Sequence, residues 1–149
     1  MRMTSALARE WFGAARVARL GTVTTAGEPH LVPVTFAVIA ADASSDDRDL
    51  VVFAIDHKPK STTALRRLDN IAANPAVAFL VDHYAEDWVQ LWWVRADATA
   101  EVLHGPMRQR GITELQAKYP QYQQLPPDGV VVGAAVSRWT GWQASPGEA

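Results

Sequence analysis

Residues 15–36 read ARVARLGTVTTAGEPHLVPVTF, two apolar runs on either side of the turn signal AGEP. In the second run Val32, Val34, Phe36 and Val38 fall on one face, the period of a half-buried strand, so the stretch is expected to fold as a hairpin. Pro33 lies inside that run. A proline cannot donate to a β-ladder, so it marks an edge, a bulge or a place where another group approaches the backbone. A plain edge strand and a ligand contact fit Pro33 equally well. If another group docks there, the backbone groups of Val32 and Val34 are the ones expected to bond it.

Outward from the hairpin the chain stays mostly β. Residues 1–14 hold an N-terminal helix, with Thr4 or Ser5 as N-cap, Leu7 and Trp11 on one face and Gly13 near its end. Residues 41–49, ADASSDDRD, read as a disordered surface loop, and residues 50–55, LVVFAI, as a buried strand. STTALRRLDNIAANP makes a helix closed by Pro75, and AVAFLVDHY is the next strand. QLWWVRADATAEVLH, the helix GPMRQRGITELQAKYP and the strand VVVGAAVSRWTGW complete the pattern, and residues 143–149 form a flexible tail. Six strands with a few short helices predict one domain over residues 1–149, mainly β, an antiparallel barrel.

Composition narrows the function classes. The 149 residues include no cysteine, which removes disulfides, thiolate chemistry and thiolate metal sites. Fourteen basic and 16 acidic residues leave a net charge of −2, without the basic footprint of a nucleic-acid binder. No run of about 18 apolar residues and no leader-like N-terminus appears, so a cytoplasmic protein without a membrane segment is expected. His30, His57, His83 and His104 lack metal-ligand spacing, and no G-x-S-x-G elbow or Gly-rich nucleotide loop is present. The sequence therefore singles out neither a catalytic residue nor a metal site.

Positive charge does collect locally. Residues 56–63, DHKPKSTT, place Lys58 and Lys60 at a strand end, with Ser61 and Thr62 opening the following helix. The first backbone N–H groups of a helix have no intrahelical partner, a geometry that favours an anion. The residues alone fit better a solvated loop with Ser61 as a cap. Trp92 and Trp93 must point to opposite faces of one strand, and core packing is the ordinary role for Trp11 and for one of that pair.

The order of these motifs resembles the split β-barrel flavin- and deazaflavin-binding proteins, the FMN-binding split barrels that include pyridoxamine 5′-phosphate oxidase. The resemblance spans Arg9 to Trp142. It rests on the opening hairpin with its V-P-V strand, on FAIDHKPKS with the helix and NPAVAFLVD after it, and on LWWVRADATAEVL. The last is similar to a V-R-x-x-G-x-A-E pattern, with Ala98 in place of the glycine. DHYAEDWVQLWWVR and the C-terminal SRWTGW resemble the actinobacterial branch that uses the deazaflavin coenzyme F420.

The resemblance implies that Lys58, Lys60 and Ser61 or Thr62 hold the cofactor phosphate while the ring lies on Val32, Pro33, Val34 and Thr35. It also gives Trp88 and Trp142 a pocket role, with Asp82, His83 and Tyr84 ending a strand near the ring. The implied activity is hydride transfer between reduced F420 and an unsaturated small molecule. An FMN-dependent oxidase or reductase and a non-catalytic cofactor or haem carrier are the alternatives. A homodimer is expected, because the apolar faces of LWWV and VVVGAAV look too extensive for one small barrel to cover.

Overall fold

The computed structural model describes residues 1–44, 47–55 and 62–145, with residues 62–65 described by backbone alone. The hairpin forms as expected. β1 (Ala18–Val23) and β2 (Pro29–Val34) pair antiparallel through a turn in which Gly27 takes φ 83°, a conformation open to glycine. The following strands are β3 (Ala37–Ile39), β4 (Leu50–Ala54), β5 (Ala76–His83), β6 (Trp92–Val102) and β7 (Val131–Gln143). All pair antiparallel in one sheet of order β2-β1-β5-β6-β7-β4-β3.

That order forces the sheet to curl. β2 and β3 are its two edges, yet only Thr35 and Phe36 separate them in the chain. Three Cα–Cα steps reach at most about 11 Å, so the edges must come close and the sheet becomes a split barrel. The expected single strand over residues 30–40 is thus two strands, and the sheet has seven strands rather than six. The break has a local cause. The Phe36 N–H donates to the Tyr119 hydroxyl (3.1 Å) and the Thr35 hydroxyl pairs with that of Tyr122 (3.1 Å), so this backbone leaves the ladder.

Helices close the ends. α1 (Ser5–Ala14), capped by Thr4, runs one residue past Gly13 and drives Phe12 onto Phe36 and Trp139 inside the barrel. Residues 1–3 are not helical: Met3 donates to Gly141 and Arg2 bridges to Trp142, extending the sheet beyond β7. α2 (Thr62–Ala73) lies at the opposite end, its Ile71 in the barrel core. α3 (Gly105–Lys118) breaks at Tyr119 before α4 (Pro120–Gln124).

α3 also packs on the outside of the barrel. Leu103, Ile112, Leu115 and Tyr119 form a second core with Ala37, Ile39, Leu50, Val52, Val131 and Ala135. The VVVGAAV segment, expected to need a partner, is therefore buried within the chain on both faces. The stretch over 41–49 carries a short 3-10 turn at Ala41–Ala43, and Asp49 ties three elements together. Its carboxylate accepts from Trp139 Nε1 (2.9 Å), from the Ala41 N–H (3.0 Å) and from Arg9 (3.4 Å). In the expected tail, Gln143 ends β7 and Ala144 donates to Leu91, so order extends further than the sequence suggested.

Candidate functional site

β2 is an edge strand with two prolines, and the turn fixes how its backbone is used. The Thr24 N–H donates to Glu28 (2.8 Å), which sets the alternation of the ladder. Thr22–His30, Leu20–Val32 and Ala18–Val34 then exchange backbone bonds, whereas Val23–Pro29, Gly21–Leu31 and Arg19–Pro33 do not. Pro29 and Pro33 thus stand where no N–H is needed. The free edge presents a single donor, the Leu31 N–H, among the carbonyls of Pro29, Leu31 and Pro33.

The strand on which the ring was expected presents Leu31, Pro33 and Thr35 outward rather than Val32 and Val34. The main chain of Val32 and Val34 is spent on β1, and both side chains pack toward the barrel core. Leu31, Pro33 and Thr35 are the outward residues, with Leu31 73% exposed. Leu31 belongs to the unburied half of an alternation that the sequence signals only through its apolar, buried half.

Beyond β2 the outer face continues, partly exposed among the described residues. Register places Pro33, Arg19, Leu80, Arg95 and Thr140 in one row across five strands. The next row carries Asp82, Trp93 and Trp142. Leu80 and Trp142 are 39% and 38% exposed, and the Arg95 guanidinium lies over the Trp93 ring while pairing with Asp97 (3.4 Å). Gly21 lets Leu31 fold over the sheet, since a Cβ there would come within 3.3 Å of Leu31 Cδ2.

Beside the hairpin turn, a cleft of about 1000 Å³ opens between Thr24, Thr25 and Glu28 on one side and Arg66, Asp69 and Asn70 of α2 on the other. The Asn70 amide donates to the buried Thr22 hydroxyl (3.0 Å), which fixes α2 against β1. Lys58, Lys60 and Ser61 lie outside the described residues, and Thr62 opens α2. Arg66, one turn after Thr62 and so on the same helix face, is a cation of this cleft that the sequence reading overlooked.

Trp88 and Trp142 stand elsewhere. Ile55 donates to Val130 (2.8 Å) beside the start of β7, and Trp142 is eleven residues along that strand from Val131. At ~3.3 Å per residue this is about 35 Å. Trp88 is 68% exposed on a short turn, its indole N–H 3.5 Å from the Tyr84 hydroxyl. One copy of the chain does not bring these tryptophans to the α2 cleft. At their end, Trp11 packs edge-on against Trp92 (5.0 Å), and His83 stacks on Trp92 (6.2 Å).

The closure between β2 and β3 holds the perturbed groups. Lys118 Nζ is enclosed 3.7 Å from the centroid of the Phe36 ring without a hydrogen-bond partner. Burial, with Arg16 adding repulsion, lowers its pKa to about 8. Burial raises the pKa of Tyr119, although its bond from Phe36 and the nearby Arg16 oppose the shift.

The sequence profile of the pyridoxamine 5′-phosphate oxidase family matches residues 5–143. The chain belongs to that family. No curated protein matches it in sequence. Among solved structures, a conserved hypothetical protein, Rv2991, of Mycobacterium tuberculosis is 22% identical with TM-score 0.70, over 95% of this chain and 86% of that one. The FAD binding protein of Mycobacterium smegmatis is 17% identical with TM-score 0.63, over 96% and 98%. The haem storage protein HutZ of Vibrio cholerae is 14% identical with TM-score 0.64, over 96% and 95%. At these identities the likeness establishes the split-barrel fold of the pyridoxamine 5′-phosphate oxidase family. Among the described residues no helix is long and apolar enough to cross a membrane.

Proposed function

We propose that this member of the family is an F420-dependent oxidoreductase acting on an unsaturated small molecule, as a homodimer. The observation that carries the reading is the continuity of the α2 cleft with the free edge of β2. Glu28 borders the cleft and Leu31 is three residues on, about 10 Å along the strand. A ribityl chain spans such a distance. The phosphate end of the cofactor then lies with Arg66 and the opening of α2, where Lys58, Lys60, Ser61 and Thr62 belong in sequence. Leu31, Pro33 and Thr35 would hold the ring, the Leu31 N–H and C=O serving its hydrogen-bonding groups.

Reduced deazaflavin bound there supplies a hydride. The chain's own contribution is to bind, orient and exclude water. Trp88 and Trp142, remote from the cleft in their own copy, enter the site from a second copy laid on the outer face. F420 is preferred over FMN on the resemblance of the segments 82–95 and 137–142 to the deazaflavin branch. A second reading, a carrier that binds flavin or haem without turnover, is favoured by the neighbours named for FAD and haem.

Absorbance titration of the purified protein with F420, FMN, FAD and haem, followed by turnover of reduced F420 against unsaturated substrates, tests this. The proposal expects saturable F420 binding at lower concentration than any of the others. Tight FMN binding alone would move the protein to the flavin oxidases. Haem or FAD binding without turnover would establish the carrier.

A further inference from the structure

Three arginines line one cavity on the far margin of the barrel from β2. Arg2, Arg48 and Arg138 surround a space of about 510 Å³ between the N-terminal segment, β7 and the stretch before β4. Among the described residues none of the three has an ion-pair partner. Two carboxylates share the wall. Asp49 is already held by Arg9, Trp139 and Ala41, and Asp47 pairs with none of the arginines. Among the described lining residues the cavity therefore carries an excess of positive charge.

Two further features point the same way. Ser5, at the first turn of the ten-residue α1, lines the cavity, and that turn holds no acidic side chain. Thr4 caps the Leu7 N–H, which leaves the N–H groups of Ser5 and Ala6 without an intrahelical acceptor at the positive end of the helix dipole. The Thr140 hydroxyl oxygen, on the same wall, is buried and has no hydrogen-bond partner. A buried hydroxyl is ordinarily paired. Three exposed arginines outnumbering the two carboxylates of the wall, a free helix start and an orphaned hydroxyl would all be served by one ligand with several anionic oxygens.

We propose that this cavity is a second anion site, distinct from the cofactor site, that takes a small doubly charged oxyanion, a phosphate group or a dicarboxylate. No residue that lines this cavity lines the α2 cleft. The site does not depend on the F420 reading, and cofactor-free protein serves for its test.

Calorimetric titration of the full chain with inorganic phosphate and with succinate, at low and moderate salt, reads it directly. Saturable binding is expected. Phosphate bound better than succinate identifies a phosphate-bearing ligand, and the reverse order a dicarboxylate. Arg138→Ala should weaken binding roughly ten- to a hundred-fold, the range for loss of a charge-assisted contact. Thr140→Val should weaken it several-fold with an unchanged circular dichroism spectrum and melting temperature. Arg110→Ala, which removes an arginine paired with Glu114 on α3, should leave binding as it was. No saturable binding of either anion overturns the proposal, as does an equal loss with Arg110→Ala, which marks a general effect of net charge.

Discussion

The two sides of the curled sheet were built under the same rules and finished differently. Over β3, β4 and the first half of β7, α3 lays Ile112, Leu115 and Tyr119 onto Leu50, Val52 and Val131, and every side chain named here is buried. Over β2, β1, β5, β6 and the second half of β7, Leu31, Leu80 and Trp142 stay exposed among the described residues and Trp93 is only half-buried. Strand β7 passes from one regime to the other at the bulge opposite Asp97 and Ala98, where its burial changes from continuous to alternating. A small chain has the means to cover one outer face. On the proposed function, the face left bare is the one that a cofactor and a second copy would occupy.

The comparison predicts unequal costs for the same chemical change. Leu115→Ala on the covered side empties a fully buried position and should lower stability by about 2–5 kcal/mol in urea denaturation. Leu31→Ala on the bare side should change the stability of the monomer by less than about 0.5 kcal/mol. Equal losses would mean that Leu31 is buried in the protein as it exists in solution, and would place the second copy over it even without cofactor.

Proline substitution sharpens the contrast within one strand. Val32 donates to β1, so Val32→Pro breaks the ladder and should cost about 3 kcal/mol or more. Leu31 directs its N–H to the free edge between two positions that already hold proline, so Leu31→Pro should fold with near-normal stability. It removes the single donor of that edge, and F420 affinity should fall by up to about ten-fold, the worth of one hydrogen bond. Retained affinity in Leu31→Pro would take the ring away from the β2 edge.

Legibility followed the same division. The hairpin, the helices over 5–14 and 62–73 and the buried strand over 50–54 were readable because local pattern and final burial agree there. The break at Thr35–Phe36 was not, since its cause is a pair of tyrosine hydroxyls more than eighty residues away. The same distance hid the cover over VVVGAAV, whose apolar run signals burial without saying what buries it. At the site, Pro33 was legible as special but the facing of its strand was not. One turn bond, Thr24 to Glu28, decides whether residues 32 and 34 or residues 31 and 33 look outward. Arg66 and the three-arginine cavity are assemblies of elements distant in sequence, which no local motif announces.

A pH-dependent effect belongs to the seam where the covered side closes the barrel. Lys118, at the end of α3, sets its Nζ against the Phe36 ring, and burial together with Arg16 lowers its pKa from 10.5 to about 8. Between about pH 8 and pH 10 the unfolded chain then binds more protons at this residue than the folded one. Stability gains from Lys118 as pH rises through that window and the residue is unfavourable below it. Tyr119 acts in the opposite sense: its raised pKa means that the folded state holds the phenol proton longer, and stability is lost as pH climbs past 10. Lys118→Met keeps the contact with Phe36 and removes the titration. It should raise the urea midpoint at pH 7, where the wild-type ammonium is enclosed without a partner, and the gap between the two proteins should shrink from pH 8 to pH 10. A gap that stays constant with pH would show that Lys118 reaches water in solution, and that the seam is looser than its contacts with Phe36 and Tyr119 imply.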